Sequence, residues 1–104
     1  MADCEDLRAL AMALDGTTEA PHFDRAAFKV KRIYATLAAD GLTANLKLLP
    51  DEQAFKEMMA PEGFAAVPNK WGEQGWTVVT LAAVSREELA GALEMAWGHA
   101  RAKR

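Results

Sequence analysis

The chain has 104 residues, 51% apolar and 26% charged, which is the make-up of one folded domain and not of a disordered segment. No run of about 18 apolar residues occurs, so no transmembrane helix is expected. A net charge of -3 argues against binding polyanions broadly, unless the bases share one face. The N-terminal stretch carries acids where a secretory signal carries bases, and the single cysteine, Cys4, has no internal disulfide partner. The simple expectation is a cytoplasmic protein with a single domain over residues 1–104.

The charge is uneven. Residues 1–24 hold six acids and one base, Arg8, whereas residues 25–50 hold Arg25, Lys29, Lys31, Arg32 and Lys47 against Asp40 alone. That basic block is the one candidate for a polyanion-binding face. It reads equally as an ordinary solvated surface.

In chain order, residues 3–14 predict an amphipathic helix. Leu7, Leu10, Ala11 and Leu14 share a face at helical spacing. Asp3 is placed to cap it, and Gly16 to end it. Residues 17–24, with Pro21, suit a short edge strand and a loop. Residues 26–48 alternate as strands. Phe28 and Val30 face one way, then Ile33, Ala35 and Leu37 against Tyr34, Thr36 and Ala38, then Leu42, Ala44, Leu46 and Leu48. Asp40-Gly41 predicts a hairpin turn with positive φ at both central positions. Together these make an antiparallel meander with one apolar face that helices must cover.

Pro50-Asp51-Glu52 opens a second helix, for which Phe55, Met58 and Met59 form the expected buried stripe. Pro61 and Gly63 end it. Phe64–Val67 is a short strand, residues 68–75 a polar glycine-bearing loop, and Trp76–Leu81 a β-branched strand. Ser85 and Glu88 form a capping box for a helix over residues 86–100, with Leu89, Ala92, Leu93, Ala96, Trp97 and Ala100 inward. Gly91 and Gly98 mark either a close backbone approach or tolerated surface positions. The fold class is α+β: an antiparallel β-sheet with helices packed on one face.

Catalytic and metal-binding patterns are not evident. His22 and His99 have no spaced ligand partners, so no metal or cofactor is expected. Cys4 lies among acids that favour its thiol. Glu87-Glu88 and Asp51-Glu52 occupy helix starts, and residues 72–75 lack the lysine of a phosphate-binding loop. An enzyme is therefore not expected. What remains is polar and aromatic: Lys29, Lys31, Asn45 and Lys47 at outward strand positions, and Asn69, Lys70, Trp71 and Trp76 in and after the later loop. Lysines meet phosphates, amides bridge, and an indole stacks on a base. Either tryptophan can also serve as a lid on the core.

The segments AAFKVKRIYATL, LTANLKLLPDE and VPNKWGEQGWTVVTL, followed by a capped helix, resemble the MmcQ/YjbR-like family across nearly the whole chain. The resemblance implies a fold similar to frataxin-like CyaY and to secretion chaperones. It also implies DNA binding through a "double wing" arrangement. Its polar motif falls on Lys29, Asn45, Lys47, Asn69, Lys70 and Trp76. Three functions follow as expectations. The first is a non-enzymatic module binding DNA with the exposed sheet face and the 69–75 loop. The second is a protein-interaction domain, chaperone-like or homodimeric. The third is a small-anion or metabolite site. No membrane partner is expected.

Overall fold

A computed structural model describes residues 1–102. Helix α1 spans Cys4–Met12, followed by strands β1 (Thr18–His22), β2 (Arg25–Lys29), β3 (Ile33–Leu37) and β4 (Thr43–Lys47). Helix α2 (Pro50–Met59) leads to β5 (Phe64–Ala66), a short helix α3 (Lys70–Glu73), β6 (Trp76–Thr80), a 3-10 turn at Leu81–Ala83, and α4 (Arg86–Arg101). The six strands form one sheet in the order β1-β2-β3-β4-β6-β5, with every pairing antiparallel. The first four strands are consecutive neighbours. Helix α2 then carries the chain past the growing edge, so β5 lies outermost and β6 returns to fill the place beside β4.

The register sorts the side chains onto two faces. Phe28, Ala35, Leu46 and Thr77 line up across four strands, and Leu37, Ala44, Val79 and Phe64 form the next row. These residues are buried, together with Leu7 and Ala11 of α1 and Leu89, Ala92, Leu93 and Ala96 of α4. That face is the core. Each fully buried leucine contributes about 1.5–3 kcal/mol by leaving water. The opposite row, Ala27, Thr36, Asn45, Val78 and Ala65, has no helix packed across it. The helix ends follow the sequence. Asp3 and Asp6 cap α1 reciprocally, and Ser85 and Glu88 do the same for α4.

Four local expectations are corrected. Tyr34 does not face outward with Thr36. The β2–β3 register slips between Phe28 and Lys29, pairing Lys29 with Ile33, and the extra residue turns Tyr34 into the core. There its hydroxyl donates to the Ala11 carbonyl at 3.3 Å and meets Thr17 Oγ1 at 2.8 Å. The β3–β4 turn takes positive φ at Gly41 alone; Asp40 instead accepts the Leu42 N–H with its carboxylate.

The 68–75 segment is not wholly loop, because Asn69 caps α3 by accepting the Trp71 N–H at 2.8 Å. Finally, the expected stripe of α2 faces solvent: Phe55, Met58 and Met59 are 54%, 70% and 65% exposed. The inward residue is Gln53. At the sheet's β5–β6 side, the neighbours are backbone carbonyls, and an amide satisfies them where a methionine cannot. Gln53 Nε2 donates toward the Gly72 and Trp76 carbonyls at 3.1 and 2.9 Å and toward Thr77 Oγ1 at 3.2 Å.

Candidate functional site

Three elements wall a cavity of about 370 Å³ on the face that no helix covers. The β1–β2 turn supplies His22, Phe23 and Arg25; the middle of the sheet supplies Thr36 and Asn45; and the β5–α3–β6 segment supplies Val67, Asn69, Trp71 and Trp76.

Each wall is built locally. His22 pairs with Arg25, leaving Phe23 and Asp24 as a two-residue turn. Phe23 adopts φ 60°, a conformation in which glycine is the usual tenant and a side chain costs about 1–2 kcal/mol. It is also 95% exposed, with its ring edge-on to His22 at 4.8 Å, so the fold gains little from it. Bulky residues held in such a conformation cluster at functional sites. Arg25 is fixed across the face by its Nε–H, which donates to Thr36 Oγ1 at 2.9 Å.

On the far wall, Gly72 and Gly75 set the path of the loop. A Cβ on Gly72 would lie 1.9 Å from the Val67 carbonyl oxygen, and one on Gly75 would lie 1.8 Å from that of Leu48. Gly75 also takes φ 109°. These close approaches, with Gln53 beneath the Gly72 carbonyl, press α3 against the sheet and turn Trp71 outward, 58% exposed. Trp71 is therefore no lid on the core. Trp76 is half-buried.

The structure brings together four of the sequence candidates, Asn45, Asn69, Trp71 and Trp76. Asn45 makes no side-chain hydrogen bond to protein among the described residues, and Asn69 uses only its oxygen. Lys47 lies beside Trp76 in a second cavity of about 220 Å³, with Arg32, Ile33 and the α4 residues Ala96, His99 and Ala100. Lys29, Lys31 and Lys70 are exposed and line neither cavity. Lys29 sits at the end of β2 remote from the Phe23 turn.

Sequence reasoning counted Arg25 in the basic block without placing it among the site residues, and it missed Phe23. The alternation of Lys29 and Ala27 could have been extended back to Arg25, but a positive φ at Phe23 has no sequence signal. His99 was read as a charge near a helix end. It also meets the Glu52 carboxylate at 2.9 and 3.1 Å, tying α4 to the start of α2. A larger hollow of about 490 Å³ follows the outer side of the β1–β2 hairpin, where Glu19 and Asp24 oppose Arg25. It has mixed charge and gathers no comparable aromatic set. Among the described residues, no group of three His, Cys, Asp or Glu side chains could hold a metal ion. No described helix is long and apolar enough to cross a membrane.

The YjbR family model matches residues 12–99, which takes in the whole lining of the first cavity and all of the second but Ala100. The chain belongs to the YjbR family. The crystal structure of the Deinococcus radiodurans protein DR2400, which carries a DUF419 domain, superposes with a TM-score of 0.77 at 28% sequence identity. The match covers 93% of this chain and 77% of that one. The antiparallel sheet and its helices are thus a YjbR fold. No curated protein matches the chain in sequence.

Proposed function

We propose that this YjbR-family chain is a non-enzymatic binding module that takes DNA on the open sheet face and the 69–75 segment. The observation that carries the reading is the lining of the open cavity: two indoles, a strained exposed phenyl ring, an arginine held across the sheet and two side-chain amides. Aromatic rings stack on bases, an arginine pairs with phosphate or a base edge, and amides read base edges.

The lysines of the basic block do not gather there, so contact with the phosphate backbone is limited and affinity is modest. Fluorescence anisotropy with labelled DNA at several salt concentrations tests this reading. Arg25→Ala and Asn45→Ala are expected to weaken binding, and Lys31→Ala to leave it nearly unchanged. Absence of binding to any DNA at low salt would remove the proposal.

A second reading, a protein-contact domain, is favoured by one observation: Leu49, Phe55, Met58 and Met59 present an apolar stripe to solvent. Sedimentation at rising concentration, with Met58→Asp as control, tests its homodimeric form. A monomer throughout would count against that form.

A further inference from the structure

Trp76 is shared. The residue lines both the aromatic cavity of the open face and the second cavity, which the last turns of α4 also line. The two cavities differ in chemistry. The first is aromatic and amide-lined. The second gathers Arg32, Lys47 and His99, and no carboxylate of the described residues forms its wall. Glu52 lies behind His99 and is bonded to it, so the positive charge of the cavity is that of Arg32 and Lys47. Arg32 donates to the carbonyl of Ala102 at 3.0 Å, which holds the guanidinium in place without neutralising it. Lys47 makes no ion pair among the described residues. Among the described residues, the second cavity therefore carries the positive charges of Arg32 and Lys47 beside Trp76, which also lines the stacking surface.

This pairing selects a form of nucleic acid. In a duplex the flat faces of the bases are stacked on one another, and only their edges are presented in the grooves. An aromatic ring inside a walled cavity reaches the face of a base only if that base is unpaired. A net charge of -3 also disfavours the broad phosphate contact on which duplex binding relies.

Resting on the DNA-binding reading of the open face, we infer that the ligand is a single strand. One unpaired base packs against Trp71 and Trp76, and the adjoining phosphate enters the cavity of Arg32, Lys47 and His99. Arg25 and Asn45 meet the edge of the base, and Phe23 closes the other side.

The test is anisotropy with three labelled probes of about 12 nucleotides: an oligothymidine, a duplex, and a strand with abasic sites at its centre. Wild type, Trp71→Ala and Lys47→Gln are compared at low and physiological salt, with circular dichroism to confirm folding. The oligothymidine is expected to bind at least about 10-fold more tightly than either other probe. Trp71→Ala should weaken oligothymidine binding on the order of 10- to 100-fold with an unchanged salt slope. Lys47→Gln should lower that slope by about 0.7, the loss of one phosphate contact on a single strand.

A duplex that binds as tightly as the oligothymidine overturns the single-strand inference and leaves the DNA reading standing. Equal binding of the abasic strand overturns the base contact. An unchanged slope in Lys47→Gln overturns the phosphate assignment. No binding by any probe at low salt fails the DNA reading itself.

Discussion

Tyr34 shows how one residue ties the sheet to the helices. Its ring is fully buried, and its hydroxyl joins Thr17 and the Ala11 carbonyl of α1. Burial raises the phenol above its ordinary value, and the bond from Thr17 lowers it in part. The neutral form is therefore favoured in the folded state, and the unfolded chain ionises first. Stability from Tyr34 is full below about pH 10 and is lost as pH rises through the folded value. Urea melts across alkaline pH should show this loss, and Tyr34→Phe should reduce it while costing about 1 kcal/mol at neutral pH.

The glycines give a second contrast. Gly91 has nothing within 4 Å of its would-be Cβ, so the close-approach explanation fails there. Gly91→Ala should stabilise the protein by about 0.5–1 kcal/mol. Gly75→Ala should destabilise it by more than about 1 kcal/mol, because both the positive φ and the Leu48 carbonyl oppose a side chain. Thermal denaturation of the two variants should move in opposite directions. Phe23→Gly should leave stability unchanged or raised while weakening DNA binding, the mark of strain retained for a site.

At the scale of elements, α2 carries the sharpest test. The helix is anchored by the amide of Gln53 and by Lys56, whose ammonium lies over the Phe64 ring at 5.5 Å. Gln53→Leu removes the side-chain donor shared by the Gly72 and Trp76 carbonyls, which keep the Gly75 and Val67 N–H groups, and should cost about 0.5–1.5 kcal/mol, whereas Met58→Gln should stay within about 0.5 kcal/mol of wild type. Chemical denaturation that gave the reverse order would restore the apolar stripe to the core.

Helix α2 also shows where sequence reading stops. Periodicity in α1 and α4 pointed to the correct faces, since Leu7, Ala11, Leu89 and Leu93 meet an apolar sheet. In α2 the same periodicity pointed outward. The neighbour is a row of carbonyls whose needs depend on the path of α3, and that path is set by Gly72 and Gly75, 19 and 22 residues from Gln53 and outside any local window. The bulge at Tyr34 was hidden for a similar reason: alternation assumes a regular ladder.

At the scale of the whole molecule, packing α1 and α4 on one side of the sheet leaves the row of Ala27, Thr36, Asn45, Val78 and Ala65 on the other side. The meander, the final helix and the division into two faces were legible from alternation and capping. Asn45, Asn69, Trp71 and Trp76 were legible as an outward polar and aromatic set. That they converge with Arg25 and Phe23 depends on the β1–β2 turn standing across the face from α3, which strand spacing alone does not define. The separation of Lys29 and Lys31 from the open-face cavity follows from the same topology, since they lie at the opposite end of the β2 strand or beyond it.

The three tryptophans offer the most direct test of the account. Trp71 and Trp76 line the open cavity, whereas Trp97 belongs to α4, its indole N–H donating to the Asp15 carbonyl at 2.9 Å. In a two-dimensional NMR titration with a short DNA strand, the indole N–H signals of Trp71 and Trp76 should shift and that of Trp97 should stay fixed. The shifts should diminish as salt rises. Shifts at Trp97 alone, or no shifts at low salt, would contradict binding at the open face.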